Sequence, residues 1–292
     1  MLTVDTCCKA YSVGAFGSRQ LLAVRDVSFG VRRGEVVSLI GESGSGKSTI
    51  GKMILRLLRM TSGTIEFEGV DISTLEGPRL RDYYSQVQGV FQDPFSSYNP
   101  IFKADRVFTM LRNRYFSGLT GSEWHKKLEA SLDGVSLNPG DVLNKYPHQL
   151  SGGQLQRMLI ARALLLDIRL LVADEIISML DASTRVDVLN LLGDLKSRGL
   201  GILFITHDLS LGNYISDTTM ILRRGAVVEK GATERVFGNP LHPYTQSLVA
   251  SVPQLHTKWQ DVELAPAPEA TDGATKLVEV EDDHFVARAA AA

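Results

Sequence analysis

Cysteine is scarce in this chain, which has two among 292 residues. The two, Cys7 and Cys8, are adjacent in the sequence. Such a pair supplies neither a disulfide framework nor the four thiolates of a structural metal site. We therefore interpret both as ordinary thiols.

Long apolar runs and an excess of charge are also missing. No apolar stretch reaches the length of about 18 residues that a transmembrane helix needs, so we expect none. The first residues, MLTVDTCCKAY, lack the charged-then-apolar layout of a signal peptide, so we expect a cytoplasmic protein. The net charge of −2 provides no overall basic field, and no nucleic-acid partner is expected.

The residues that are present are those of a soluble α/β protein. Hydrophobic residues make up 44% and charged residues 22% of the chain, enough to build a core. Residues 1–75 have the pattern of short strands with one helix after Lys47, and residues 94–150 are helical and polar. Residues 151–231 alternate between helix and apolar strand, which is typical of a parallel sheet and closes with a hairpin turning at Arg224-Gly225. Residues 255–292 are rich in Ala and Pro and then acidic, so we expect a mostly flexible tail.

A glycine-rich loop between a strand and a helix is the first chemical motif. The apolar strand Val36–Ile40 leads into GESGSGKST and then into a helical pattern. Glycines allow backbone N–H groups to wrap phosphate oxygens, and the helix N-terminus adds its dipole. We expect Lys47 to neutralise the β- and γ-phosphates and Ser48 to offer its hydroxyl to Mg²⁺. The predicted phosphate-binding residues are Gly41, Ser43, Gly44, Ser45, Gly46, Lys47, Ser48 and Thr49.

Polar residues also end three other apolar strands. VQGVFQ ends at Gln92, LLVADE at Asp174 and Glu175, and GILFITH at His207. Ligands of parallel sheets bind at the carboxyl ends of strands, so we expect Asp174 to face Mg²⁺ and Glu175 the attacking water. Taken singly, each has an alternative role: a strand cap for Gln92, a helix N-cap for the two carboxylates and a structural role for His207.

A second candidate anion site opens the helix in YPHQLSGGQLQRMLIARALLL. Small residues at a helix start leave backbone N–H groups available to an anion. Because the chain already has one phosphate loop, this site suggests a second nucleotide, shared across a dimer. Its predicted nucleotide-binding residues are Ser151, Gly152, Gly153 and Gln154.

In this order the motifs resemble those of the ATP-binding subunits of ABC transporters, over residues 3–254. The resemblance implies an α/β fold, a P-loop NTPase of the ABC ATPase type, with a RecA-like core, an antiparallel β subdomain and a helical subdomain inserted at about 94–150. It implies that Tyr11 stacks on the adenine of ATP, with a core aromatic as the alternative, and that Asp181 lies in the nucleotide-binding D-loop. It also implies catalytic roles for Glu175, His207 and Gln92, and a Mg²⁺ site made of Ser48, Gln92 and Asp174.

Two further segments, VFQDPFSSYNP and VFGNPLHPYTQSLVASVP, are similar to the ATPases of oligopeptide/dipeptide importers. That similarity implies a peripheral subunit on the cytoplasmic face of the membrane that powers peptide import. The implied partners are two membrane-spanning permease subunits, a paralogous ATPase subunit in a heterodimer and a substrate-binding protein. Many such ATPases carry a C-terminal cysteine cluster, but here no cysteine follows Cys8, so we expect no iron–sulfur cluster.

One departure from the family pattern follows Glu175. The family reads Asp-Glu-Pro-Thr-Ser-Ala-Leu-Asp, whereas this chain reads DEIISMLD, with Ile176, Ile177 and Met179. We expect the β-branched residues to extend the strand where proline would turn it, and activity to persist. Similar variants occur among ATPases that serve oligosaccharides, so oligosaccharide import is the alternative. DNA-repair and translation ATPases are disfavoured, because the chain has one ATPase head and no long coiled-coil insertion.

Overall fold

The computed structural model describes residues 1–13, 19–178, 180–251, 275–281 and 283–289. Its strands are β1 (Leu2–Val13), β2 (Arg19–Val31), β3 (Val36–Ile40), β4 (Ser62–Phe67), β5 (Val70–Asp71), β6 (Val87–Val90), β7 (Leu170–Asp174), β8 (Gly201–Thr206), β9 (Thr218–Arg223), β10 (Ala226–Ala232), β11 (Thr275–Glu281) and β12 (His284–Ala289). Its α-helices are α1 (Lys47–Ile54), α2 (Gly77–Gln86), α3 (Arg106–Tyr115), α4 (Gly121–Asp133), α5 (Pro139–Val142), α6 (Gly152–Leu164), α7 (Ala182–Ser197), α8 (Leu209–Ile215), α9 (Thr233–Gly238) and α10 (Pro243–Ala250). Single 3₁₀ turns lie at Ile72–Thr74, Phe95–Ser97 and Pro147–Gln149.

The chain divides into two compact units. The first unit comprises Met1–Leu75 and Gly201–Ala292, and the second comprises Glu76–Leu200. Within the described ranges, no helix combines the length and the apolar character that crossing a membrane requires.

An antiparallel sheet in the first unit has the strand order β2-β1-β4-β5. In β4 the side chains of Ile65 and Phe67 are buried, whereas those of Thr64 and Glu66, which alternate with them, are partly accessible. This alternation is that of a strand with one face on the core.

The same unit contains a second set of strands in the order β11-β12-β10-β9-β3-β8. Every residue of β3 and of β8 is buried, and the two pair in parallel with Ile40 opposite Thr206. Continuous apolar sequences are expected where both faces of a parallel strand are covered. The predicted hairpin is confirmed: β9 and β10 join at Arg224 and Gly225, both with positive φ, as a tight two-residue turn requires.

The second unit pairs β6 with β7 in parallel, with Val90 opposite Ala173, and contains α2 to α7. The helices α3, α4 and α5 fall within residues 94–150, where the sequence indicates helix. Helix α4 begins with a capping box, in which the Thr120 hydroxyl accepts the Glu123 N–H and the Glu123 carboxylate accepts the Thr120 N–H. Its N-terminus is therefore specified locally.

The C-terminal segment differs from the flexible tail that composition indicates. Strands β11 and β12 form an antiparallel hairpin, and β12 pairs with β10 so that Val286 lies opposite Glu229. The physical reason is burial of His284 and Val286: the His284 Nε2 atom lies 2.8 Å from the Glu229 Oε1 atom, and both side chains are fully buried. Composition does not reveal this pair, because its partners are 55 residues apart. The expectation for residues 255–274 lies outside the described residues.

We predict that His284→Ala destabilises the protein by about 3 kcal/mol, because it leaves the Glu229 carboxylate buried without its imidazole partner. The measurement is the free energy of unfolding in urea. The matched control is His125→Ala, which removes an exposed pair with Glu129 at 3.2 Å and should cost less than about 1 kcal/mol. Equal effects of the two substitutions would contradict the buried pair.

Candidate functional site

The loop between β3 and α1 closes around a lysine. The Lys47 ammonium donates to the carbonyl oxygens of Gly41 at 2.7 Å and Glu42 at 2.9 Å, and it lies 3.5 Å from the Ser45 hydroxyl. Both Lys47 and Ser45 are buried. A buried ammonium needs such oxygen partners, so the loop backbone is folded about the charge.

Glycine is required at the end of this loop. Gly46 has a φ of +104°, and a Cβ atom there would lie 2.5 Å from the Ala23 carbonyl oxygen. The residue is also the N-cap of α1, whose first turn has no side-chain cap and no acidic residue. An uncapped helix start without nearby carboxylates favours an anionic ligand.

Neighbouring segments of the first unit hold the loop. The Gly225 N–H donates to the Ser45 carbonyl oxygen at 3.0 Å, and the Glu42 N–H donates to the Tyr244 hydroxyl at 3.4 Å. Reasoning from the sequence missed both contacts. The sequence signal for the Tyr244 contact was the segment NPLHPYT, which indicated similarity to the importer ATPases but no chemical role.

His207 and Tyr11 belong to the same unit as the loop. His207 directly follows β8, and because Thr206 pairs with Ile40, His207 and Gly41 leave neighbouring strands at the same edge. Tyr11 lies on β1 with 38% of its surface exposed, and Lys9 places its ammonium 5.1 Å from the ring centroid. It pairs with Leu21, two residues before the Ala23 carbonyl that abuts Gly46.

Gln92, Asp174 and Glu175 belong to the second unit. Parallel pairing of Val90 with Ala173 brings the ends of β6 and β7 to one edge, where Asp174 is the last residue of β7 and Gln92 lies just beyond β6. Strand β6 ends two residues before Gln92, which is exposed, whereas Asp174 is buried.

The expectation that β-branched residues extend this strand is wrong. Strand β7 ends at Asp174, and Glu175 adopts a left-handed φ of +51°. The Ser178 N–H and hydroxyl then bond the Glu175 carbonyl oxygen at 3.2 and 2.9 Å, which closes a turn. Ile176 and Ile177 are buried within the turn, so packing overrides strand propensity. Met179 lies outside the described residues.

The SGGQ segment starts α6 with a capping box. The Ser151 hydroxyl accepts the Gln154 N–H at 3.2 Å, and the Gln154 side chain accepts the Ser151 N–H at 2.9 Å. A Cβ atom on Gly153 would lie 2.8 Å from the Thr184 methyl group. Glycine therefore allows close approach here, while the Ser151 hydroxyl keeps its own hydrogen for a further acceptor.

Asp181 is the N-cap of α7. Its carboxylate accepts hydrogen bonds from the Ser183 hydroxyl at 2.6 Å, the Thr184 N–H at 3.0 Å and the Thr184 hydroxyl at 2.9 Å. These bonds, led by that of Ser183, hold the pKa of Asp181 well below its usual range. The side chain is exposed and ionised at neutral pH, and it shapes the segment that leads into α7.

Sequence reasoning also missed Arg162, which supports the strand before Gln92. Its guanidinium donates to the Gly89 carbonyl oxygen of β6 at 2.8 Å, and burial lowers its pKa. Burial has the opposite effect on Tyr98, an acid that is neutral when protonated, and raises its pKa. The Tyr98 hydroxyl donates to the Leu155 carbonyl oxygen at 3.4 Å. The signal for such a role, a basic residue inside an apolar helix, was present in the sequence.

The predicted magnesium ligands have suitable chemistry. Ser48, Gln92 and Asp174 offer a hydroxyl, an amide carbonyl and a carboxylate, which are the oxygen donors that Mg²⁺ prefers. Ser48 is the second residue of α1 in the first unit, whereas in the second unit Gln92 follows β6 and Asp174 ends β7. We propose their joint role as magnesium ligands.

Comparison with protein families gives two matches. The model of the ABC transporter family matches residues 24–178, more than half of the chain. A model described as the oligopeptide/dipeptide transporter C-terminal region matches residues 228–278.

Relatives and solved structures agree with these matches. A putative peptide import ATP-binding protein of Brucella ovis is 42% identical over 238 residues, covering 81% of this chain and 74% of the relative. The oligopeptide transport ATP-binding protein OppF of Streptococcus mutans is 43% identical over 238 residues, covering 81% and 77%. The dipeptide transport ATP-binding protein DppF of Lactococcus lactis is 43% identical over 234 residues, covering 79% and 75%.

Among solved structures, a dimeric ATP-binding cassette in a post-hydrolysis state bound to ADP and Pi superposes with a TM-score of 0.71 at 28% identity, covering 80% of this chain and 99% of that one. The cbiO1 protein of Clostridium perfringens, part of an ABC transporter complex, reaches 0.70 at 25% identity, covering 82% and 90%. The predicted P-loop ABC ATPase fold is thereby confirmed. The chain belongs to the ABC transporter family, as an ATP-binding subunit that hydrolyses ATP to drive transport.

Proposed function

We propose that this subunit powers the import of peptides through a membrane transporter of the oligopeptide/dipeptide type. The observation that carries the proposal is the match of residues 228–278 to the C-terminal region of such transporters. The names of the peptide, oligopeptide and dipeptide relatives support it. Oligosaccharide import remains the alternative, favoured only by Ile176, Ile177 and Met179 at positions where the family carries Pro, Thr and Ala.

The phosphate loop is the proposed binding site for ATP. Its enclosed Lys47 ammonium would exchange loop carbonyls for the β- and γ-phosphate oxygens, and the uncapped start of α1 would add backbone N–H donors. Ser43, Gly44, Ser45, Gly46, Ser48 and Thr49 complete the proposed cradle. Tyr11 is proposed to stack on the adenine, in line with its partial exposure.

Hydrolysis is assigned to polar residues at strand ends. We assign Glu175 to accept a proton from the water that attacks the γ-phosphorus, and His207 to hydrogen-bond the γ-phosphate, with Gln92 orienting the water. Ser48, Gln92 and Asp174 would hold a Mg²⁺ ion, whose positive charge would offset that of the phosphate oxygens. The left-handed backbone of Glu175 supports a functional role, because such conformations concentrate at active sites.

The subunit is proposed to work as one half of an ATPase pair, with a paralogue as the other half. Ser151, Gly152, Gly153 and Gln154 would bind the nucleotide held by the partner's loop, and Asp181 would lie beside them. The dimeric state of a related cassette supports pairing of this kind. Two permease subunits and a substrate-binding protein complete the proposed assembly, at the cytoplasmic face of the membrane.

Apolar side chains exposed on the second unit are candidates for the permease contact. Phe95, Ile101, Phe102 and Met110 lie within a short stretch that follows the Gln92 loop, and Ile101 is 75% exposed. Exposed apolar side chains that form a contiguous patch mark interaction surfaces.

Lys47→Ala should weaken ATP binding roughly tenfold to a hundredfold, because it removes a charge-assisted contact to phosphate. Affinity is measured by isothermal titration with ATP. Lys52→Ala, an exposed lysine on the same helix, is the control and should bind ATP as the unmodified protein does. Unchanged affinity of the Lys47 variant would refute the phosphate-loop assignment.

Glu175→Gln should still bind ATP but lower kcat by about a hundredfold or more, since a general base contributes 10²–10⁴-fold. Phosphate release in the reconstituted transporter measures kcat, and size-exclusion chromatography with ATP should detect a trapped closed dimer. Glu76→Gln, at an exposed glutamate outside the proposed site, is the control. Normal phosphate release by the Glu175 variant would overturn its role.

Peptide import is tested by ATP hydrolysis in proteoliposomes that contain the permeases and the binding protein. Peptide should stimulate hydrolysis severalfold, and Ile101→Asp should abolish the stimulation by placing a charge in the proposed apolar contact. Val70→Asp, at a residue 46% exposed in the first unit, is the control.

Stimulation by oligosaccharides and not by peptides would replace the proposed cargo with the alternative. If peptide still stimulates hydrolysis by the Ile101→Asp variant, Ile101 is not part of the permease contact. Hydrolysis stimulated only by DNA or ribosomes would contradict a transport role.

A further inference from the structure

The segment NPLHPYT lies next to the phosphate loop, although no nucleotide-binding role follows from its sequence. We propose that Tyr244 is a positioning residue for this loop, and that Glu229 and the C-terminal hairpin β11–β12 hold Tyr244 in place. The inference rests on the proposed binding of ATP phosphates by the loop. It adds a role for the C-terminal region, which is to preorganise the nucleotide site of its own subunit.

The first step is the contact between Tyr244 and the loop. The tyrosine is 96% buried, and its hydroxyl accepts the Glu42 N–H at 3.4 Å. The carbonyl oxygen of the same Glu42 accepts a hydrogen bond from the Lys47 ammonium at 2.9 Å. The Glu42 backbone is therefore held at two groups: its carbonyl oxygen by Lys47 of the loop, and its N–H by Tyr244 of α10.

The second step is the packing of the Tyr244 ring. The ring belongs to a buried cluster that contains Ile40, the last residue of β3, and Ile221 of β9. Arg223 places its guanidinium 4.8 Å from the ring centroid. Ala287 of β12 packs against the same cluster, so the hairpin and the start of the loop share one core.

The third step is the anchoring of the α10 start. The buried Glu229 carboxylate accepts the Leu241 N–H and the His242 N–H, each at 2.9 Å, and lies 2.8 Å from the His284 Nε2 atom. The His242 Nδ1 atom in turn accepts the Tyr244 N–H at 3.1 Å. Burial lowers the pKa of His242, which favours the neutral imidazole that this acceptor role requires.

These contacts make one connected path from the hairpin to the loop. His284 orders Glu229, Glu229 orders the backbone before α10, and α10 presents the Tyr244 hydroxyl to Glu42. A loop that is already ordered loses less conformational freedom when it binds phosphate, so its affinity is higher. Removing the hydroxyl should therefore weaken ATP binding without changing the chemistry of hydrolysis.

The test compares Tyr244→Phe, which deletes only the hydroxyl, with Tyr115→Phe, which deletes a hydroxyl from a tyrosine of the second unit. Tyr244→Phe should raise KM for ATP about twofold to tenfold, the range for a lost neutral hydrogen bond, and leave kcat within twofold. Hydrogen exchange at the Glu42 amide should be faster, with β3 and α1 as protected as before. Tyr115→Phe should change none of these quantities.

Lys47→Ala, measured in parallel, separates failure of the inference from failure of the proposed function. If Lys47→Ala weakens binding and Tyr244→Phe leaves KM and Glu42 exchange unchanged, Tyr244 does not position the loop. If Lys47→Ala binds ATP normally, the phosphate-loop assignment itself fails. If Tyr244→Phe lowers the melting temperature and accelerates exchange throughout β3 and α1, its role is structural and the inference is overturned.

A double-mutant cycle tests the part played by Glu229. Glu229→Gln should also raise KM, and the two substitutions combined should raise it by less than the product of their separate effects, because both act through one path. Effects that multiply would show that Glu229 acts independently of Tyr244, and would remove the hairpin from the proposal.

Discussion

The enclosure of the Lys47 ammonium by the carbonyl oxygens of its own loop is the constraint on which the nucleotide site depends. A buried cation must be surrounded by oxygen, and here the oxygens belong to Gly41 and Glu42. Gly46 closes the loop in a left-handed conformation against the Ala23 carbonyl oxygen, where a side chain would not fit. The same arrangement leaves the start of α1 without a side-chain cap, and so favours an anion.

Within each unit, parallel strands bring polar residues to a common edge. In the first unit, parallel pairing of β3 with β8 brings Gly41 and His207 out at one edge. In the second unit, parallel pairing of β6 with β7 does the same for Gln92 and Asp174. Parallel strands that are buried on both faces are largely apolar between their ends, which is why apolar runs that finish in polar residues predicted functional positions.

Much of the fold was predictable, because it depends on local patterns. The strand before the phosphate loop, the helix after Ser151 and the turn at Arg224-Gly225 all follow from periodicity and from residues with special backbone preferences. The turn after Asp174 was mispredicted, because burial of Ile176 and Ile177 overrides their preference for strand. The hairpin β11–β12 was missed because what holds it is a buried pair between residues distant in sequence.

The sequence by itself determined the order of the motifs, the family and the residue types at each strand end, since these depend on chemistry carried by short contiguous segments. Only the tertiary structure decided how the loop is supported: the hydroxyl of Tyr244 reaches Glu42 across 202 positions of chain. It also decided that the Glu229 carboxylate is fully buried with His284 as its partner. The reason is physical, because burial and long-range hydrogen bonds exist only after distant segments have packed together.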